Sequence, residues 1–341
     1  MQSLYRSLPA VMLAGFCLFS HALLAQSKKT WTDAEVMKIH KEAYLMDLHN
    51  DIPFKTVNGG NFMARGGGEH TDIFRMKEGG HAIEDDPRLL RRFYELGTHY
   101  MTPTWSNTNG WADSSGDINN PKIKHHGSLT DLGKQIVLEV NRLGMIVDIS
   151  HVADSTFYDA VKTSKAPLIA SHSSCRALCD TPRNMTDDMI KALAKTNGVM
   201  GINFSCDFLN QKSRDASPMN LPEVVAERDR IMASKDQPAA IKEFQSLMAK
   251  YRANTPRATL QDVVHHIDHV VKLVGVDQVA IGSDFDGVGC TPEGLDNVSK
   301  FPRLTRPLLE KGYSPQMIAK IYHGNLIRVM QDVEKTAASM K

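Results

Sequence analysis

Apolar residues along the chain fall into short runs separated by longer stretches with a helical period. The runs are 44–49, 98–104, 144–149, 166–170, 198–204 and 278–282, six in all, each short enough for a buried strand. Amphipathic segments follow most of them, at 129–143, 154–163, 186–196, 260–274 and 314–333. Thr130-Asp131 gives the first of these a start signal and Gly144 a stop. Asp187-Asp188 after Thr186 places negative charge in the first turn of another, where the helix dipole favours it. Strand followed by helix, repeated, predicts an α/β fold with parallel strands covered by helices. Residues 210–257 break the alternation. They are charged and helix-prone, and read as a helical insertion in the loop after a strand. No repeat period emerges beyond the strand–helix unit.

The first 25 residues read as an address instead of as fold. Arg6 precedes an apolar stretch over 8–25, and Gln26 to Lys29 is polar. This pattern predicts an export signal cleaved after Ala25, with the mature chain 26–341 forming a single domain in a periplasmic or extracellular location. An uncleaved membrane anchor is the weaker reading, because Pro9 and His21 interrupt a stretch barely long enough to span. Export implies an oxidising compartment. Four cysteines then remain, Cys175, Cys179, Cys206 and Cys290, and these allow three pairings or buried free thiols. The 341 residues carry 40 Lys+Arg against 39 Asp+Glu, so no net charge draws the chain to nucleic acid. With 42% hydrophobic residues it is globular and not disordered.

Polar residues of one kind cluster where the runs end. His49 and Asp51 sit at i and i+2, on one face of a strand end, and can reach one metal together. The third run ends in Ser150-His151, the fourth in Ser171-His172, and the last in Ser283-Asp284-Phe285-Asp286. Imidazole and carboxylate at the carboxyl ends of parallel strands is the position where a (β/α)8 TIM-barrel-like metallohydrolase carries its chemistry. Five or six N/O ligands suit a two-metal centre, with zinc the best match to histidine plus carboxylate. Such a pair needs a bridging carboxylate, and Glu78, beside Gly79-Gly80, is the candidate. Asp148 shares its strand face with Ser150, opposite Ile149 and His151, and the alternation leaves it out of the site.

Taken together, the motifs Asp47-Leu-His-Asn-Asp51, Glu78-Gly-Gly-His81, Trp111-Ala-Asp113, the run from Leu143 to His151, Ala170-Ser-His-Ser-Ser174, Pro182-Arg-Asn184, the run from Gly282 to Gly287, and the run from Gly324 to Val329 resemble the membrane dipeptidase family of zinc peptidases. The resemblance implies a metal-dependent barrel hydrolase acting on dipeptides. It implies that His49 and Asp51 hold one zinc, that His151 and His172 hold the other, and that Glu78 bridges. It places Asp284 beside the attacking water and the substrate amine, and Arg183 on the substrate carboxylate. A homodimer is in keeping with the family. The chemistry agrees: two metals lower the pKa of a shared water, a carboxylate can relay its proton, and a guanidinium grips two carboxylate oxygens.

Two departures from the family pattern bear on function. Trp105 follows Thr102-Pro103-Thr104 where family members place a histidine, and an indole has one donor and no acceptor. In addition, His70 lies only eight residues before Glu78, where the family interposes a strand, a helix and a further strand. This predicts a deletion that joined two similar Glu-Gly-Gly sites. It leaves six recognisable strands where a closed barrel of this type has eight. A catalytically impaired relative, or an amidohydrolase acting on another amide or lactam, therefore stands as the alternative function. His265, His266 and His269 have helical spacing but lack the Glu of a zincin helix, and read as a polar helix face.

Overall fold

The computed structural model describes residues 29–49, 83, 85–234, 237–252 and 255–341. The export segment 1–25, Asp51, Glu78 and the region of the predicted deletion lie outside the described residues. Trp31–Lys341 is one compact unit.

In chain order the elements that position the site are α1 (Asp33–Glu42), α2 (Pro87–Glu95), β1 (Tyr100–Met101), α3 (Asp131–Leu143), β2 (Ile146–Val147), α4 (Asp154–Thr163), β3 (Ile169–Ser173), α5 (Asp187–Lys195) and β4 (Val199–Ile202). Next come α6 (Cys206–Leu209) and, within the segment 210–257 read as a helical insertion, α7 (Gln211–Asp215), α8 (Pro222–Met232) and α9 (Gln237–Arg252). The chain ends with α10 (Leu260–Val274), β5 (Val279–Ile281), α11 (Pro302–Glu310), α12 (Pro315–Ala319) and α13 (Asn325–Ser339). Every apolar run of the sequence supplies a strand or a strand-like bridge.

All pairings among these strands are parallel. β1 pairs with β2, and β3, β4 and β5 form a second sheet in that order. Single parallel bridges join Asp148 to Ile169 and Asp47 to Ile281. The described segments therefore follow one another sideways as β1, β2, β3, β4, β5 and the stretch around Asp47, with helices outside. This is the barrel-like arrangement expected of alternating strands and helices, because a right-handed crossover places each helix on the outer face. Between the Asp47 stretch and β1 the link is a side chain: the Tyr100 hydroxyl lies 3.1 Å from Nδ1 of His49 and 3.5 Å from the Leu48 carbonyl oxygen.

Local signals set the boundaries. Thr130 caps α3 by accepting the Gly133 N–H, and Gly144 ends it at φ +84°, a left-handed conformation that glycine adopts without a Cβ penalty. α3 buries Ile136, Val137 and Val140 on one face. Thr186 caps α5, with Asp187 and Asp188 in the first turn. The segment read as one helix over 314–333 is instead α12, a π-turn at Lys320–Gly324, and α13. Asn325, at the junction, sends its side-chain amide to the carbonyls of Val276 and Val279, which ties this kink to the start of β5. Cys206 and Cys290 form a disulfide, while Cys175 and Cys179 are buried free thiols. Among the described residues no helix is long and apolar enough to cross a membrane.

The histidines of α10 require a correction. His265 and His269 lie towards the helix surface, but His266 is 1% exposed. Its Nδ1 accepts the Cys175 N–H and its Nε2 donates to the Leu209 carbonyl. The helical period alone does not reveal that the loop after β3 packs over this face.

Candidate metal centre

Where the strands end, side chains from four of them converge. β3 is buried throughout, and its pairing with β4 shifts register between Ala170 and Ser173. A bulge of this kind re-aims successive side chains. It explains how the neighbours Ser171 and His172 both face inward, with Ser171 Oγ 2.7 Å from His172 Nδ1. The same place is tightly packed. A Cβ at Gly201 or Gly282 would overlap the Ser171 carbonyl oxygen, so both positions need glycine for the close approach of the backbones.

His151 follows β2 in a turn, and its Nε2 lies 2.9 Å from Nε2 of His172. The His49 ring stacks on that of His172, with centroids 3.8 Å apart. His49 Nε2 is 3.8 Å from Asp284 Oδ1. Ligand atoms of His49, His172 and Asp284 all fall within 4.8 Å of one another. Asp284 and Asp286, after β5, both take positive φ, 57° and 70°. Such backbone is uncommon for non-glycine residues and is concentrated at functional sites. At Asp284 it is held by its N–H, which donates to the His49 carbonyl at 2.9 Å, and by Asn203 Nδ2, which donates to Asp284 Oδ2 at 3.0 Å.

Three imidazoles and a carboxylate, converging and mostly buried, form a donor set of nitrogen and oxygen suited to a first-row divalent metal. At a metal–nitrogen distance of about 2.0–2.1 Å, two imidazole nitrogens bound to one ion lie roughly 2.9–3.4 Å apart, which accommodates the His151–His172 pair. The donors fit a metal. Four of the residues expected from the sequence, His49, His151, His172 and Asp284, are thus brought together, and Asp51 and Glu78 lie outside the described residues.

Arg183 belongs to the same place. It is half-buried, and its Nη2 donates to the His172 carbonyl at 3.2 Å. Its Nη1 is buried without a hydrogen-bond partner among the described residues. Burial pulls its pKa down to about 10, opposed by the carboxylates of Asp284 and Asp148, and the guanidinium sits 5.3 Å from the Phe208 ring centroid. A cation with a buried, unused donor is an incomplete arrangement that an anionic group would complete. Trp105 stands at the edge, 43% exposed, with its ring 6.5 Å from that of His151. Its carbonyl accepts from Ser114 Oγ at 2.5 Å, which fixes the backbone beneath it.

The sequence missed three residues. Asp148, set aside on strand alternation, is fully buried and accepts from the side chains of Thr102, Ser150 and Ser171. It shares its face with Ser150, as alternation has it, and stays outside the ligand group; what alternation does not show is the link across to Ser171 of the next strand. Tyr100 and Asn203 carried no signal of their own, since each acts on a residue distant in the chain.

A family model described as membrane dipeptidase (peptidase family M19) matches residues 77–341. Dipeptidase verJ of Clonostachys rogersoniana is 34% identical over 287 residues, 82% of this chain and 62% of that protein. Human dipeptidase 3 is 32% identical over 263 residues, 76% of this chain and 44% of that one. The chain thus spans between about two fifths and three fifths of the length of these relatives. Among solved structures, the probable dipeptidase PvdM from Pseudomonas aeruginosa superposes with a TM-score of 0.65 at 30% identity, covering 76% of this chain and 68% of that one. A metallopeptidase from Rhodobacter sphaeroides, bound to a phosphinate mimic of the dipeptide L-Ala-D-Ala, gives 0.57 at 26% identity, covering 75% and 62%.

Proposed function

Because the chain belongs to the membrane dipeptidase family, peptidase family M19, we propose that it is a metal-dependent dipeptidase that hydrolyses the peptide bond of a dipeptide. The observation that carries the reading is the grouping of His49, His172 and Asp284 within 4.8 Å, beside an Arg183 whose Nη1 is buried and unused. In this reading His49 and Asp51 would hold one zinc ion, His151 and His172 would hold another, and Glu78 would be shared between them. Metal bound there lowers the pKa of water and polarises a carbonyl.

The chain's own residues do the rest. Arg183 receives the substrate's terminal carboxylate, which sets the distance from that carboxylate to the bond being cleaved. Asp284 takes the proton of the attacking water and gives it to the leaving amine, a general acid–base role. Asn203 donates to one carboxylate oxygen of Asp284 and leaves the other directed towards His49. The sequence over 1–25 supports export, and the Cys206–Cys290 disulfide is in keeping with an oxidising compartment.

The first experiment is the metal content of the purified mature chain. About two zinc per chain is expected, with hydrolysis of dipeptides that His172→Ala abolishes. One zinc or none, or unchanged turnover by His172→Ala, overturns the reading. The catalytically impaired relative, favoured by Trp105 and the short region before Glu78, then takes its place.

A further inference from the structure

We propose that Asp148 is a positioning residue that, acting through Ser150 and Ser171, fixes both the backbone and the ring tautomer of His172. The proposal rests on the reading of His172 as a metal ligand only for its effect on metal affinity. The tautomer itself follows from hydrogen-bond geometry.

Asp148 is fully buried and receives five hydrogen bonds. They come from Thr102 Oγ1 at 2.8 Å, Ser150 N at 3.1 Å, Ser150 Oγ at 2.7 Å, Ser171 N at 2.8 Å and Ser171 Oγ at 2.6 Å. A carboxylate in the core is a costly way to hold two strands together, since apolar packing does that without desolvating a charge. What it adds is direction, because a carboxylate only accepts. The single hydroxyl proton of each serine is therefore spent on Asp148. The two serine oxygens also lie 3.1 Å apart, a contact left with no hydrogen once both protons are on Asp148, and each faces one further neighbour as an acceptor.

Both of those neighbours are on His172. Its backbone N–H donates to Ser150 Oγ at 3.0 Å. Its ring Nδ1 lies 2.7 Å from Ser171 Oγ. With the Ser171 proton committed, the ring must supply the hydrogen, so the neutral imidazole carries it on Nδ1. Nε2 keeps its lone pair and faces Nε2 of His151 2.9 Å away, which in the metal-free chain supplies the hydrogen between them. A metal-bound histidine ordinarily has its other nitrogen held in this way, and the partner holds the ring as well as the tautomer.

The test has two arms. In the first, nitrogen NMR of the full mature chain, stripped of metal by a chelator and held at about pH 8.5, about two units above the ordinary histidine pKa, reads the tautomer of His172 directly. A proton on Nδ1 is expected; a proton on Nε2 overturns the proposal whether or not the protein binds metal. In the second, zinc affinity is measured by competition with a chelating dye. Asp148→Asn and Ser171→Ala are each expected to weaken zinc binding about 10- to 100-fold. Thr102→Val removes one hydrogen bond from Asp148 but leaves both serines in place, and its affinity is expected to stay within about twofold. A purely structural role would make Thr102→Val and Ser171→Ala alike, and that outcome overturns the proposal, as does wild-type affinity in Ser171→Ala. Should Asp148→Asn fail to fold, Ser171→Ala and the wild-type spectrum still decide it. A wild-type chain that binds no zinc but shows the Nδ1 proton refutes the metal reading and leaves the relay standing.

Discussion

The two sides of the candidate centre are built differently. On the β2–β3 side, His172 is gripped by residues close in sequence. Ser171 is its neighbour, Ser150 lies 22 residues before it, and Asp148 lies 23 before Ser171. On the first-strand side, His49 depends on distant partners. Its ring meets Tyr100, 51 residues on, and Asp47 accepts the backbone N–H and the hydroxyl of Ser283, 236 residues on. One side is a local construction that two adjacent strands make by pairing. The other exists only once the last strand has closed on the first, so its geometry inherits whatever happens between residues 49 and 100. Among the described residues, the restraints on the first-strand side are the longer-range ones.

The strongest way to break this contrast is at the point where both sides meet. Gly282 follows β5, donates its N–H to the Ile202 carbonyl at 3.1 Å, and leaves no room for a Cβ beside Ser171 and His172. Gly282→Ala pushes β5 and β3 apart, moving Asp284 on one side and His172 on the other. Overpacking at a rigid backbone contact costs about 3 kcal/mol or more, so urea denaturation should show a lower midpoint together with loss of zinc. Retention of wild-type stability would mean the two strands can slide, and that neither side is rigidly held.

A second restraint on the local side is a buried histidine. His266 pins the Cys175 N–H, three residues past His172, and burial lowers its pKa to about 4. Its folded-state pKa lies below the unfolded value near 6.5, so the unfolded chain binds the extra proton first as pH falls. The contribution is fully present above about pH 6.5 and is lost progressively down to about pH 4. It amounts to about 3 kcal/mol at about 1.4 kcal/mol per pKa unit. The difference in unfolding free energy between wild type and His266→Gln should therefore shrink between pH 7 and pH 4.5. A difference constant with pH would show that His266 is solvated and does not restrain the loop.

What the sequence made legible follows the same division. The runs and their helices were readable because caps and periodicity are local: α4 and α10 begin and end at 154–163 and 260–274, as read from the pattern. His49, His151, His172 and Asp284 were readable because strand ends announce themselves by the return of polar residues. Alternation put Asp148 on one face with Ser150, as the hydrogen bond between them has it, but its support of His172 passes through Ser171 of the next strand, which no local pattern reveals. His266 was misread because a helix face is polar or buried according to what packs on it. The Cys206–Cys290 pairing, spanning 84 residues, was beyond any local rule, since spacing alone left three pairings open.

The most delicate test of the comparison is Tyr100→Phe, which removes a single oxygen from the first-strand side. Tyr100 is the bridge between the Asp47 stretch and β1. Its phenol lies 3.1 Å from His49 Nδ1 and donates towards the Leu48 carbonyl, and burial raises its pKa so that it stays neutral. The phenol and Nδ1 share a hydrogen, and this contact holds the ring with Nε2 facing Asp284. Phenylalanine keeps the ring packing and loses this restraint. Zinc affinity is expected to fall about 10-fold, at the lower end of the effect of such outer partners, with stability lowered by about 1 kcal/mol. The fall should be no larger than that of Ser171→Ala, because His49 is also located by its stacking on His172 and by the Asp284 N–H on its carbonyl. A larger loss in Tyr100→Phe than in Ser171→Ala would invert the ranking. It would make the bridge between the first strand and β1, and not the buried carboxylate, the element on which the centre most depends.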